Sequence, residues 1–547
     1  MKLIIEEGMK TKFYLMAIFI FSLSQLYATT NNAIKSDHKT DINGITFCID
    51  KRIELFNVVA YLADYPYLNG LDYRYKNDIE TYFAKYRKHP AIVNFENLFR
   101  KSFRSIDAPI FFMACLDDEL NYRAEPQDVS NKMYADSLRN LLKKFRNECK
   151  FDEFYFDHKD FYNLLLVTIQ FNFQDYKEKE RIENYFGSKQ NSYTVILNLL
   201  GSGNFGPRIK NALGMDIYCI IEPESNMGDI PVFSANRIFN NLICHEFSHS
   251  FVNPLVEKHI ETVNKSSALF DTIKQSMNSQ AYSDWETTVK EHIVRAVACR
   301  LAAKKYGEES SNLTEYRNEV GRRFIYVVPL VAKLREYEQN RERYKTFNDF
   351  FPELLSVFTK IKLKDISNYQ NTVASFRKPN ISNMPEFGNV DTEKLLIITP
   401  TEESDSTNQQ QLLCFINDYK RRYFPISKTI SDKEALKADL ANYDIIIFGT
   451  PNGNLFLKKY IEQIPVFIGS NKIVADKEYI GDNYQMLLSW VNPQNEKRHM
   501  SIYTAQKAQA IININTIMPS VNYTIAKNYK TVKKGKYKNS MNIWMFD

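Results

Sequence analysis

Two histidines four residues apart, with a glutamate directly after the first, occupy His245-Glu246-Phe247-Ser248-His249. On a helix, positions four apart share a face, so both imidazoles can reach one metal ion. Glu246 is turned by about 100° from His245 and can act as base on a water held by that metal. The chemistry implied is hydrolysis by a zinc-activated water. The chain has only eight histidines, and a chance HExxH arises in it on the order of 1 time in 100. The bland alternative is an amphipathic helix carrying two surface histidines.

A catalytic zinc needs a third protein ligand and an open position. Leu255 stands where a metzincin pattern would place a third histidine, and His259 lies beyond Pro254. Glu291, on the next long helical stretch, is the stronger candidate, with Glu286, His292 and Asp284 as alternatives. Arg295 follows Glu291 by four residues, so a plain helical ion pair is the competing explanation. The tetrahedral oxyanion needs a donor besides zinc. Tyr282, His292 and Tyr326 are the candidates, although tyrosines also serve as core aromatics and the chain has 34 of them. Asn253, one turn past His249, either bonds a group behind the ligands or caps the helix end.

The elements that must position these groups are legible in outline. Phe239, Ile243 and Phe247 form an apolar stripe roughly opposite the histidine pair, which predicts a helix from about Arg237 to Val252, stopped by Pro254. A second helix is expected from Ser283, where Ser283 and Glu286 have capping-box spacing, to about Tyr306. Tyr193–Leu200 and Ile217–Ile221 read as strands, with the loop signal Gly201–Gly206 between them. That loop lacks the lysine and Ser/Thr placement of a phosphate loop. Gly449–Gly453 reads as a turn. Mostly helical patterns fill Ile53 to about Asp175, and again Phe324–Tyr337 and Phe347–Phe358. Beyond Asp391 the texture is α/β: Leu395–Ile398, Ile445–Phe448, Leu487–Val491, Ile502–Thr504 and Tyr523–Ala526 suit strands of a partly parallel sheet, with helical patterns at Gln409–Arg421 and Leu455–Ile464. The expected class is α+β. Its divisions are a signal peptide (1–28), a polar lead (29–43), the HExxH region (44–369), a linker (370–391) and a small α/β domain (392–547).

The run His245 to Pro254, followed by Glu291-His292-Ile293-Val294-Arg295-Ala296, resembles an uncharacterised family of secreted bacterial HExxH proteins (domain of unknown function 4932). Ile53-Glu54-Leu55 through Tyr86-Arg87-Lys88-His89-Pro90 is similar to that family's N-terminal part, so the resemblance spans about Arg52 to Phe358. It implies a gluzincin-like metallopeptidase fold, in which a glutamate on a following helix completes the site and a strand ahead of the HExxH helix pairs with the peptide substrate. It carries over His245, Glu246, His249 and Glu291, and leaves the C-terminal α/β region unexplained. On that basis Tyr193–Leu200 is expected to present an exposed edge.

Composition narrows the rest. With 71 basic against 65 acidic residues, the net charge is +6, too balanced for a nucleic-acid surface. The basic run Lys530–Lys538 reads as a solvated tail. Lys10 and Lys12 precede an apolar stretch from Phe13 to about Phe21, with Ala28 as a cleavage point, which predicts export, to the periplasm or beyond, and no lasting membrane span. The seven cysteines form no CxxC pair, and Cys115, Cys219 and Cys414 read as buried thiols. The expected protein is a secreted zinc peptidase acting on peptides or proteins. The alternatives are a zinc hydrolase of a non-protein amide or cell-wall peptide, and an exported binding module with a structural metal.

Overall fold

The computed structural model describes residues 38–547 except 67, 104, 106, 127–128, 212–213, 376–383, 385, 541–542 and 547. The expected signal segment and its cleavage point at Ala28 lie outside the described residues. The class is α+β. The chain divides into two compact units: the part up to Lys258 with Glu342–Phe350, and His259–Arg341 with Phe351–Asp547. No helix among the described residues is long and apolar enough to cross a membrane.

In the first unit a five-stranded sheet is built from β1 (Lys39–Ile42), β2 (Ile45–Cys48), β3 (Ser192–Leu197), β4 (Arg208–Asn211) and β5 (Gly214–Ile221), in the order β1-β2-β3-β5-β4. Its first strand falls inside the expected polar lead, where Thr40 and Ile42 turn inward on alternate positions. Asn43 and Gly44 both take positive φ, 50° and 81°, as a two-residue hairpin turn of this hand requires. β3 runs parallel to both β2 and β5. It is therefore an interior strand, and the expectation of an exposed edge there is overturned. Alternation of apolar residues marks a strand but does not name its neighbours. The edge belongs to β4, paired antiparallel to β5 alone. A small hairpin of β6 (Ser225–Met227) and β7 (Ile230–Val232) precedes the HExxH helix.

That helix spans Arg237–Lys258 and passes through Pro254 instead of stopping before it. Proline removes the N–H that would bond the Ser250 carbonyl. Gln190 Nε2 donates to that carbonyl at 3.4 Å, which meets the local cost of continuing. Phe239, Ile243 and Phe247 are all buried. Phe247 meets Tyr193 edge-on at 5.4 Å, and Phe251 stacks on Phe186 at 4.3 Å.

In the second unit a helix spans Trp285–Tyr306. Its cap is Asp284, not Ser283: the carboxylate accepts from the Thr287 N–H at 2.8 Å. It packs against the Val327–Gln339 helix. The segment expected as a linker is helical at its start, because the Leu363–Ser375 helix reaches into it. A seven-stranded sheet follows, from β8 (Leu395–Thr399), β9 (Lys428–Ser431), β10 (Asp444–Phe448), then β14 (Tyr484–Asn492), β15 (Asn495–Ala505), β16 (Tyr523–Lys527) and β17 (Lys530–Gly535), in the order β17-β16-β14-β15-β10-β8-β9. A small sheet of β11 (Phe467–Ile468), β12 (Lys472–Val474) and β13 (Glu478–Ile480) intervenes, and β18 (Tyr537–Ser540) pairs with β19 (Ile543–Phe546).

β9, β8, β10 and β15 are mutually parallel and the others antiparallel. Ile398, Ile445 and Ile447 enter one core; Leu395, Ile397, Ile446 and Phe448 enter the other. Burial on both faces explains why these strands read as unbroken apolar runs. The Ser406–Tyr423 helix covers the second face with Leu412, Ile416 and Tyr419. Cys414 falls off that stripe and is exposed, against expectation; the described cysteines are all free thiols. The basic run near Lys530 is strand β17, at the sheet's end, and its exposed lysines blunt the edge against pairing with other chains.

Glu54 is 1% exposed, and the Tyr75 hydroxyl donates to it at 2.7 Å. Burial pushes its carboxyl up to about 7 from 4.5, although the Tyr75 bond pulls the other way. The folded state thus keeps a proton that the unfolded chain releases, so stability falls as pH rises from 4.5 to about 7, by up to ~1.4 kcal/mol per pH unit. Glu54→Gln is expected to raise the melting temperature above the wild type at alkaline pH, with the gain vanishing below the unfolded pKa. Equal melting curves at alkaline pH would show that the buried carboxylate costs nothing.

Candidate metal centre

The HExxH helix begins under Asn236, whose Oδ1 accepts from the Phe239 N–H at 2.9 Å. Farther along it is tied to the Glu178–Phe186 helix, where the Cys244 thiol donates to Glu178 Oε2 at 3.4 Å. With the apolar stripe fixed against the sheet, His245 and His249 emerge half-buried on the other face. Their Nε2 atoms stand 3.2 Å apart and their ring planes cross at 85°. Two neutral rings cannot aim lone pairs at each other across that distance without repulsion, so either one carries a proton there or both face a shared cation. His249 Nδ1 lies 3.2 Å from Asn253 Oδ1. An acceptor there holds the proton on Nδ1 and leaves the Nε2 lone pair for a metal. Asn253 does not end the helix, which continues to Lys258; its side chain meets His249 instead.

Glu246 is 7% exposed on the same helix. Gly206 is pressed against it: a Cβ at that position would lie 2.8 Å from both Glu246 Oε2 and the Glu246 carbonyl. Phe205 pairs with Ile220 by reciprocal bonds of 3.1 and 2.8 Å, so this segment enters the edge strand β4 directly beside the carboxylate. The glycines of 201–206 signal a loop in the sequence; the need for a residue without a side chain at 206 becomes visible with Glu246 beside it.

Glu291 is 8% exposed on the Trp285–Tyr306 helix. Among the described residues, His245, His249 and Glu291 form a possible three-residue metal site, with one ligand atom from each and all three within 4.8 Å of one another. The ion pair weighed against this role is also present. Arg295 Nη2 donates to Glu291 Oε2 at 2.9 Å, and Nη1 to Glu319 Oε2 at 2.7 Å. A carboxylate has two oxygens, so pairing with Arg295 and facing a metal are compatible. Burial works against the Arg295 charge, but Glu319 and Glu291 more than offset it and hold its pKa above the usual value. The other candidate ligands are engaged elsewhere: Asp284 caps its helix, and Glu286 pairs with Lys290 at 2.7 Å.

The candidate oxyanion donors differ in character. The Tyr282 hydroxyl accepts from Arg295 Nη2 at 3.1 Å, which leaves its own proton to give. Burial, then the nearby Glu291 charge, pushes that hydroxyl up to about 12. His292 is fully buried, with Nδ1 2.7 Å from the Thr288 carbonyl and its ring against Phe324 and Tyr326. Burial lowers its pKa to about 4. It is therefore neutral near pH 7, and with the proton on Nδ1, Nε2 has none to donate. The Tyr326 hydroxyl donates to the Leu269 carbonyl at 2.9 Å and also meets Thr272, as a core tyrosine does.

Asn253→Ala is expected to lower affinity for a transition-metal dication by about 10- to 100-fold while leaving the fold intact, measured by competition with a chromophoric chelator. Unchanged affinity would mean that the Asn253 contact does not orient His249.

No curated protein matches the chain, and no solved structure matches it. Residues 125–357, which include His245, Glu246, His249 and Glu291 and end before the seven-stranded sheet, match the family model described as Domain of unknown function (DUF4932).

Proposed function

We propose that this chain is an exported zinc-dependent peptidase, with His245, His249 and Glu291 as the zinc ligands and Glu246 as the general base. The observation that carries the reading is the 3.2 Å between the two Nε2 atoms. Nitrogens bound to one tetrahedral zinc at ~2.0–2.1 Å stand about 3.3 Å apart. Two imidazoles and one carboxylate are also the donor set of catalytic rather than structural zinc, because they leave a fourth position open.

Zinc in that position supplies Lewis acidity, polarising a carbonyl and making a water more acidic. The chain's own residues do the rest. Glu246 takes the proton from the attacking water and passes it to the departing amine. Its burial and the close backbone of Gly206 restrict where that carboxylate can swing. The Tyr282 hydroxyl, steadied by Arg295, is the donor proposed for the oxyanion; His292 is left out because its proton is committed to Thr288. The edge strand β4 offers unpaired main-chain groups that would hold an extended peptide beside Glu246.

The test is metal analysis with matched variants. The purified protein is expected to hold about one zinc per chain, lost in His245→Ala and weakened in Glu291→Ala without unfolding. Glu246→Gln is expected to keep the zinc and lose at least about 100-fold in cleavage of a mixed peptide library. Zinc retained in full by His245→Ala removes the assignment, and cleavage retained by Glu246→Gln removes the base.

A further inference from the structure

A second group of chemistry-bearing residues lies at the carboxyl ends of the parallel strands β8, β9 and β10, in the unit that carries the seven-stranded sheet. In open α/β sheets, this end is where ligands are held. β8 is followed by Pro400-Thr401-Glu402-Glu403, β9 by Asp432, and β10 by Gly449-Thr450. Asp432 has no exposed surface. Its Oδ2 accepts from the Leu455 N–H at 2.6 Å and the Thr401 N–H at 3.2 Å. Its Oδ1 is buried and has no hydrogen-bond partner, and the same is true of the Thr401 hydroxyl oxygen. Glu403 is 9% exposed, with Oε1 accepting from the Thr450 N–H at 2.7 Å and Oε2 from the Thr450 hydroxyl at 2.8 Å. A Cβ at Gly453 would come within 2.0 Å of the Glu403 carboxyl carbon, so the chain is shaped to admit that carboxylate.

We propose that Asp432, Thr401 and Glu403 form an oxygen-lined site for a hard divalent cation, Ca2+ or Mg2+, separate from the histidine centre. A buried carboxylate oxygen and a buried hydroxyl, both without partners, are groups that folding leaves in place only when something else satisfies them. A water would satisfy the hydroxyl but leave two buried like charges. The Asp432 charge adds to the burial that already raises the Glu403 pKa. The neighbouring ammonium, Lys433, is turned to the surface, where it pairs with Glu402 at 2.5 Å. With oxygen donors and neither imidazole nor thiol, the set suits calcium or magnesium over zinc.

The experiment uses the full-length, chelator-stripped protein, titrated with CaCl2 and separately with MgCl2, and read by calorimetry and melting temperature. One saturable event with a rise in melting temperature is expected for at least one cation. It should persist in His245→Ala and weaken by about tenfold or more in Asp432→Asn and Thr401→Val. The Thr401 hydroxyl makes no bond within the fold, so Thr401→Val tests the site even if Asp432→Asn folds poorly. Absence of binding in the wild type overturns the proposal. So does affinity unchanged in Thr401→Val, or binding lost in His245→Ala instead. An Asp432→Asn protein that melts above the wild type at every cation concentration also overturns it, because Asp432 would then be an uncompensated buried charge.

Discussion

Two imidazole nitrogens held 3.2 Å apart impose a demand on everything around them. Side chains one helical turn apart are free to splay into solvent, and splaying relieves the repulsion between lone pairs. Here they converge. Asn253 orients one ring from behind, and the helix itself cannot rotate. Phe239, Ile243 and Phe247 are sunk on its opposite face, and Cys244 is tied to Glu178. Burying such a stripe stabilises by several kcal/mol in area terms, far more than the orientation of two half-buried rings costs. Packing therefore fixes the rotation of the helix, and the rotation fixes where the nitrogens face.

The same logic explains the helix's passage through Pro254. A break at Val252 would free the last turn, which carries Asn253. Gln190 takes over the carbonyl that proline abandons, and the turn holding the His249 partner stays helical. Arg295 plays the corresponding part on the Trp285–Tyr306 helix. It grips one oxygen of Glu291 and is itself balanced by Glu319. A buried arginine between two glutamates leaves that group net negative. Under the proposed function, a divalent cation would balance that remaining charge.

What was legible in the sequence follows from the range of the physics involved. The HExxH spacing, the apolar stripe and the unbroken strands β8 and β10 are local patterns, and the structure has them where the sequence puts them. Glu291 was legible only as one carboxylate among several. Nothing within its own helix distinguishes it from Glu286, since each glutamate has a basic partner four positions on, Lys290 and Arg295. The interior position of β3 was not legible, because a two-residue period is blind to which strands lie alongside. The outward turn of Cys414 and the β17 lysines show a third limit: a short apolar or basic run says little until the face it lies on is known. The Arg295–Glu291 pair was legible from its spacing, whereas the closeness of Gly206 to Glu246 and the second bond of Arg295, to Glu319, needed contacts that sequence alone does not supply.

The two clusters of titratable groups obey one rule with different donors. In the histidine cluster, two imidazole nitrogens and a single carboxylate lie within 4.8 Å of one another, a donor set that under the proposed function would suit a metal with an exchangeable fourth ligand. At the ends of β8 and β9 the donors are oxygens alone, buried and closed in by backbone, which suits an ion that stays put and neutralises charge. Glu54, buried with the Tyr75 hydroxyl bonded to it and its pKa pushed up to about 7 by burial, illustrates the third way a protein can tolerate such a group: it keeps the proton. Which solution a buried acid adopts depends on what faces its second oxygen. Burial favours protonation, as at Glu54, where it outweighs the opposing pull of the Tyr75 hydroxyl; a guanidinium such as Arg295 favours a fixed ion pair, and an oxygen with no partner at all, as at Asp432, calls for a cation from outside the chain.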